Sequence, residues 1–161
     1  MTHSKQENTI QYYWEDLAVG TVWDLGEIRV EREEVLAFAR RYDPQPFHLD
    51  DEAAARSPVF GRLAASGWHT CAMAMGQYVR EFLNKAASMG SPGLEQVKWL
   101  KPVYPGDTLR LRLRVTEARA MKSKPTIGLV RSSWEVFNQD DVQVLSLDAW
   151  GMFGRRNPDE A

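Results

Sequence analysis

The chain has 161 residues, 43% of them hydrophobic, which is enough for one domain that buries its own core. Its 20 lysines and arginines nearly balance its 22 aspartates and glutamates, so it lacks the excess positive charge typical of nucleic-acid-binding proteins. A single cysteine, Cys71, and a start without a basic and apolar leader predict a reducing, cytoplasmic location.

The two ends of the chain are polar. Residues 1–11 show no hydrophobic periodicity and are expected to form a disordered tail, with a second short tail over residues 156–161. A single domain is therefore expected over residues 12–155. Its first element is one or two short strands within residues 21–30, where apolar residues alternate imperfectly around Gly26.

A short amphipathic helix is predicted next, from about Glu31. Its apolar residues recur at steps of three and four: Val35, Phe38, Ala39 and Tyr42. The helix must end at Asp43, because Pro44 disfavours helical backbone in the residue before it.

Pro46 restricts the chain again, so residues 43–48 are expected to form a stiff, extended turn. A second short helix over residues 52–56 follows, with Asp50 or Asp51 as its N-cap and Pro58 closing it.

A long helix is the clearest element of the chain. Apolar residues fall at helical spacing for more than five turns and predict a buried central helix: Trp68, Cys71, Ala72, Met75, Val79, Phe82, Leu83 and Ala86. The stretch also carries Arg80, Glu81 and Lys85, too much charge for a membrane span. We therefore expect no association with a membrane.

The rest of the chain is strand-like. Four segments, residues 94–100, 108–118, 126–137 and 142–153, are separated by turn residues. The second alternates cleanly, with leucines and a valine on one face and arginines on the other. This order of elements predicts an α+β domain in which an antiparallel sheet wraps around the long helix.

Asp43 and His48 are the best candidates for acid/base chemistry. They lie at the two ends of the stiff turn, and a carboxylate beside an imidazole holds its tautomer and tunes its proton affinity. The alternative is structural, because an aspartate before proline often starts a turn and a histidine before an N-cap is often only hydrogen-bonded.

The start of the long helix is a second candidate site. Ser66 and Gly67 stand where backbone N–H groups lack helical partners, so Gly67 could bind an oxyanion. The alternative is that Ser66 simply caps the helix.

Metal, nucleotide and thiol chemistry find no support in the sequence. The histidines His3, His48 and His69 make no recognisable metal set, and no glycine-rich phosphate loop follows a strand. His69 and Cys71 are two residues apart on a helix and point to different faces. No metal and no separate cofactor are therefore expected.

Three segments resemble the signature of the MaoC-like dehydratase family, which includes (R)-specific enoyl-CoA hydratases. They are Tyr42-Asp43-Pro44-Gln45-Pro46-Phe47-His48-Leu49-Asp50, then Phe60-Gly61 with Ala65-Ser66-Gly67, and Lys101-Pro102-Val103 with Gly106-Asp107-Thr108-Leu109. The resemblance implies a hotdog fold, a curved antiparallel sheet around one long central helix. It also implies that Asp43 and His48 are catalytic and that the thioester oxygen binds at Gly67, beside Ser66.

Two residues depart from the family's pattern. Gln45 stands where the family has asparagine, and Ser66 where it usually has histidine, and we expect these changes to bear on the substrate more than on the reaction. Candidate pocket residues are Gln45, Phe47, Phe60 and Trp68.

The resemblance implies a hydratase or dehydratase of acyl thioesters. Coenzyme A would enter only as part of an acyl-CoA substrate, and an acyl carrier protein is a possible alternative carrier. A hotdog acyl-CoA thioesterase and a non-catalytic acyl-binding module remain alternatives. The chain is expected to form a homodimer or an assembly of dimers, because a single such sheet leaves strand edges uncovered.

Overall fold

The computed structural model describes residues 9–160, so most of the predicted N-terminal tail lies outside the described residues. The described residues form three α-helices: α1 (Arg32–Tyr42), α2 (Asp51–Ala55) and α3 (Gly67–Glu81). The same part of the chain forms five strands: β1 (Val22–Arg29), β2 (Leu94–Trp99), β3 (Thr108–Ala120), β4 (Ile127–Phe137) and β5 (Gln143–Gly154). Short 3-10 helices occupy Trp14–Asp16, Pro46–His48 and Leu83–Lys85.

The strands form one antiparallel sheet in the order β1-β3-β4-β5-β2. Buried residues alternate along β3 and β4, and together with β5 they make one cluster with Met73, Ala74 and Tyr78 of α3. The predicted α+β arrangement, an antiparallel sheet packed on a central helix, is therefore confirmed.

The other face of the sheet is polar, as the alternation in β3 predicts. Arg112 pairs there with Glu135, and Arg131 pairs with Asp148 at 2.7 Å. Since successive side chains of a strand point to opposite faces, the charged residues lie on the outer face and the apolar residues face α3.

The central helix is shorter than predicted, and its buried face is a different one. It has 15 residues, about four turns, and ends at Phe82, whose backbone leaves the helical region at φ −135°. Its buried residues are His69, Thr70, Met73, Ala74, Gln77 and Tyr78. The expected apolar stripe is correct at Phe82 and Ala86, which are buried in the core, but wrong at Trp68, Ala72 and Met75, which are exposed.

Helices α1 and α2 are confirmed, but Tyr42 of the predicted apolar face is 63% exposed, and Pro46–His48 form a 3-10 helix where an extended turn was expected. Helix α1 ends at Tyr42 with Asp43 as its C-cap, as Pro44 requires. Helix α2 begins after Asp50, whose carboxylate accepts the N–H of Ala53 at 2.9 Å. Residues 43–51 thus pass directly from one helix to the next.

Hydrogen bonds hold the chain beyond each end of the predicted domain. The N–H of Gln11 donates to the carbonyl of Lys85 at 2.7 Å, and the Arg156 guanidinium donates to Asp16 at 2.9 Å. Across residues 9–160, no helix has the length and hydropathy that crossing a bilayer requires.

Candidate active site

The turn after α1 brings Asp43 and His48 together. The Asp43 carbonyl accepts the N–H of Gln45 at 2.8 Å, and the Gln45 carbonyl accepts the N–H of His48 at 2.9 Å. The chain reverses over these bonds, so that His48 Nε2 lies 3.4 Å from Asp43 Oδ2. The two predicted acid/base residues therefore do share one place in the fold.

The backbone fixes the tautomer of His48. Its Nδ1 lies 2.7 Å from the carbonyl oxygen of Ala64, and since a carbonyl only accepts, Nδ1 carries the proton. In the neutral ring Nε2 is then unprotonated, and it is this nitrogen that faces Asp43. His48 is 4% exposed, so water has little access to hydrogen-bond with its ring nitrogens.

Two side chains donate hydrogen bonds to the Asp43 carboxylate. Ser66 Oγ donates to Oδ2 at 2.7 Å, and Gln45 Nε2 donates to Oδ1 at 2.8 Å. Burial alone would raise the pKa of Asp43, but these two bonds, with His48 nearby, lower that pKa below its ordinary value. Asp43 is therefore an ionised acceptor at neutral pH.

Ser66 is the N-cap residue of α3, but its hydroxyl makes no capping bond. Since it donates to Asp43 instead, it leaves the first N–H groups of α3, beginning with that of Gly67, without a side-chain cap. The positive end of the helix dipole lies at the same point. The start of α3 can thus bind a partial negative charge beside the acid/base pair.

Trp99, at the end of β2, packs directly on Gly67. A Cβ at position 67 would lie 2.5 Å from Nε1 and 2.6 Å from Cε2 of the indole. The same indole meets the ring of Trp68 edge to face, with centroids 5.1 Å apart. Only glycine at position 67 leaves room for this contact.

A cavity of about 380 Å³ opens between these elements. Asp43, His48 and Gly67 line it together, and its remaining lining is mostly apolar. Buried lining residues are Ala65, Thr70, Val103 and Val144, whereas exposed ones are Val59, Trp68, Trp99, Leu100 and Lys101. The cavity therefore has an apolar floor and an open, aromatic mouth.

Two of the four predicted pocket residues line this cavity, and two do not. Phe60 and Trp68 are part of its wall. Phe47 is not, because its ring packs against a small cluster of Leu36, Ala54 and Leu63 behind the site. Gln45 also stays outside the lining and contacts Asp43 instead.

The sequence did not point to Trp99, Thr70 or Val144 as cavity residues. They come from β2, α3 and β5: the sheet order places β2 beside β5, and α3 packs on the sheet. A partial signal for the mouth was Lys101-Pro102-Val103, whose Lys101 and Val103 both line the cavity.

Cys71 is half-buried and packs against the core cluster, so its expected core role is confirmed in part. Burial raises the pKa of its thiol, which makes it a weak nucleophile at neutral pH. Within residues 9–160, no three His, Cys, Asp or Glu side chains are grouped so that they could hold a metal ion.

Comparisons with known proteins agree with this geometry. The family model described as "MaoC like domain" matches residues 16–134. The chain belongs to the MaoC-like domain family. The MaoC-like signature recognised in the sequence is thereby confirmed.

Three solved structures are similar over most of this chain. A MaoC-like dehydratase from Rhodospirillum rubrum is 40% identical, with a TM-score of 0.84 over 91% of this chain and 99% of that one. An (R)-hydratase from A. caviae is 25% identical, with a TM-score of 0.68 over 85% of this chain and 97% of that one. A conserved hypothetical protein from Mycobacterium tuberculosis with a double hotdog fold is 25% identical, with a TM-score of 0.71 over 92% of this chain and 46% of that one. The fold is a hotdog, as expected.

The contact between Gly67 and Trp99 gives a first prediction. Gly67→Ala should displace the indole, because the new Cβ would lie under 3 Å from three of its ring atoms. We expect a lower melting temperature, and a partial recovery when Trp99→Leu is added, measured as a double-mutant cycle.

Gly76→Ala in the same helix is the matched control. Its Cβ would meet only the flexible end of Arg80, at 3.1 Å, and alanine is favoured over glycine inside a helix by about 1 kcal/mol. It should leave the melting temperature equal or higher. A Gly67→Ala protein as stable as wild type would contradict the packing described here.

The hydrogen bond from Ser66 gives a second prediction. Ser66→Ala removes a donor to the Asp43 carboxylate, so the pKa of Asp43 should rise in a carbon-13 NMR titration. In the wild-type protein the folded state lowers the pKa of Asp43, so the ionised carboxylate stabilises the fold. This stabilisation is fully present above the unfolded-state pKa of Asp43 and is lost as the pH falls through its folded-state pKa. In Ser66→Ala the folded-state pKa lies closer to the unfolded one, so the loss should be smaller and should be complete at a higher pH.

Ser91→Ala is the control, since it removes a hydroxyl that donates at 2.5 Å to the Trp150 carbonyl, away from the cavity. It should leave the Asp43 titration unchanged. An Asp43 pKa that is equal in Ser66→Ala and wild type would show that Ser66 does not hold the carboxylate.

Proposed function

We propose that this protein reversibly hydrates 2-enoyl thioesters to 3-hydroxyacyl thioesters. The observation that carries the proposal is that an ionised carboxylate, a histidine with a fixed tautomer and a free helix N-terminus line one apolar cavity. Membership of the MaoC-like family and the 40% identity to a MaoC-like dehydratase support it.

The substrate thioester carbonyl would accept the N–H of Gly67. Charge that develops on this oxygen in the transition state then meets a fixed donor and the positive end of α3, which can contribute a few kcal/mol. The acyl group would lie toward the apolar floor, at Val103 and Val144.

Asp43 and His48 would together act on one water molecule. His48 Nε2 takes a proton from the water as its oxygen bonds to C3, and the electrons of the C2–C3 double bond move toward the thioester oxygen at Gly67. The imidazolium so formed lies 3.4 Å from the Asp43 carboxylate, which stabilises it. The proton then returns from Nε2 to C2, which restores the neutral ring, and dehydration runs the same steps in reverse.

Coenzyme A would be present only as part of the substrate, and an acyl carrier protein is the alternative carrier. Both present the thioester on the same flexible arm. The arm would enter through the part of the mouth formed by Val59 and Lys101, which are both exposed.

Substitutions of Asp43 and His48 test the proposed reaction. Asp43→Asn keeps the size of the side chain but removes the ionisable carboxylate, and His48→Gln removes the proton exchange. Each change should lower kcat for a short 2-enoyl-CoA by about 10²- to 10⁴-fold. The double variant should be far less impaired than the product of the two effects, because the groups act as a unit.

Thermal melts of the same proteins show whether a variant that has lost turnover is still folded. Near wild-type turnover in the folded variants would mean that Asp43 and His48 only shape the turn. Hydrolysis of the thioester by wild type would indicate a thioesterase, and binding without turnover would indicate a non-catalytic module.

We also propose that the protein forms a homodimer through β2 and the outer face of α3. Strand β2 is an edge of the sheet, with unpaired backbone groups that another strand can join. Next to it, Trp99, Leu100 and Trp68 are 46%, 42% and 58% exposed, and Met75 on α3 is 42% exposed. This much apolar surface beside a free edge favours a second copy as its cover.

Light scattering should therefore give twice the 18.4 kDa mass of the chain. Met75→Lys places a charge in the proposed interface and should shift the mass toward that of one chain. Val19→Lys, at another exposed apolar position, should not. A sharp wild-type monomer at micromolar concentration would overturn the dimer proposal.

A further inference from the structure

Tyr104 lies on a turn that the rest of the fold holds rigidly. Residues 104–107 close with the N–H of Asp107 donating to the Tyr104 carbonyl at 3.0 Å, and Gly106 takes the positive φ of 94° that this turn requires. The Asp107 carboxylate accepts the N–H of Tyr104 at 2.9 Å and Nε2 of Gln139 at 3.0 Å. Since Asp107 is also buried, the Tyr104 backbone has little freedom.

From this turn, the Tyr104 side chain reaches the loop of residues 57–62, which follows α2. Its hydroxyl donates to the carbonyl of Phe60 at 2.7 Å, and the guanidinium of Arg62 lies 3.9 Å from the centre of its ring. The other hydrogen bonds of this loop stay within the loop or reach α2, as from Ser57 to Ala54. Among the described residues, Tyr104 thus makes the one hydrogen bond that ties the loop to the sheet side of the fold.

The same loop covers the histidine of the candidate active site. The Phe60 ring lies 5.5 Å from the His48 ring and 5.0 Å from that of Phe47. Val59 and Phe60 both line the cavity that holds Asp43 and His48. The position of the loop therefore decides how much of the His48 ring solvent can reach.

We propose that Tyr104 is a positioning residue, whose hydroxyl anchors the loop of residues 57–62 so that Phe60 covers His48. That Phe60 covers His48 follows from the ring contacts and the Tyr104 hydrogen bond alone. The effect of this cover on turnover rests on the proposed function, because it matters for catalysis only if His48 transfers protons in that cavity.

Chemical modification of the histidines measures the cover directly. Diethyl pyrocarbonate acylates accessible imidazole nitrogens, and peptide mass spectrometry gives a separate rate for His48 and for His69. His69 is 6% exposed and packs on Phe38, away from the Tyr104 loop, so it is an internal reference. Removing one ordinary hydrogen bond shifts an opening equilibrium by about two- to tenfold.

Tyr104→Phe should therefore speed modification of His48 by about two- to tenfold and leave His69 unchanged. Tyr13→Phe is the matched control, because its ring also lies under an arginine, Arg156, at 4.8 Å, and it should change neither rate. Unchanged modification of His48 in Tyr104→Phe, or an equal increase at His69, would overturn the proposal.

Phe60→Ala removes the cover itself and should expose His48 at least as much as Tyr104→Phe does. If Tyr104 acts through Phe60, adding Tyr104→Phe to Phe60→Ala should produce little further increase. Additive effects in the double variant would mean that Tyr104 acts on His48 by another route.

Turnover of a short 2-enoyl-CoA completes the test. Tyr104→Phe lowers turnover only as far as it lowers the closed fraction of the loop, so kcat/KM should fall in the order wild type, Tyr104→Phe, Phe60→Ala. The reverse order would count against the proposal. If wild type has no hydratase activity, the proposed function fails, while the modification rates still decide the role of Tyr104.

Discussion

The hydrogen bond from Ser66 to Asp43 is the contact on which the candidate site depends. It joins the residue that ends α1 to the residue that begins α3, at 2.7 Å. Without this bond Asp43 would only be the C-cap of α1, and Ser66 an ordinary N-cap. Because the hydroxyl serves the carboxylate, the N–H groups at the start of α3 stay free, and the acid/base pair and the oxygen-binding end of the helix form one site.

This arrangement needs α3 to be buried on one face and open at its start. The sheet packs on Met73, Ala74 and Tyr78, which fixes the direction of the helix. At its first residue the backbone meets the Trp99 indole, which a side chain at position 67 would displace. Glycine at this position therefore has two roles, since it lets the aromatic wall approach and keeps the N–H open to a ligand.

The sequence predicted local features well where one residue decides the backbone. Pro44 ends α1 at Asp43 by steric exclusion, and alternation in β3 identifies its inner face, so both predictions were correct. The register of α3 was misread because apolar residues occupy both sides of the helix, including Trp68 and Met75. Periodicity alone does not say which side meets the sheet. Likewise, Trp99 reaches the site only through the sheet order, which local patterns do not encode.

The two departures from the family pattern were expected to bear on the substrate, but their contacts concern the acid/base pair. Gln45 and Ser66 each donate to a different oxygen of Asp43, and neither lines the cavity. Two neutral donors keep the carboxylate ionised and fix its plane without adding a positive charge. A protonated histidine in place of Ser66 would hold Asp43 more strongly but would compete with His48 for that charge. With serine there, His48, 3.4 Å away, is the ionisable side chain that lowers the pKa of Asp43, alongside the hydrogen bonds from Ser66 and Gln45.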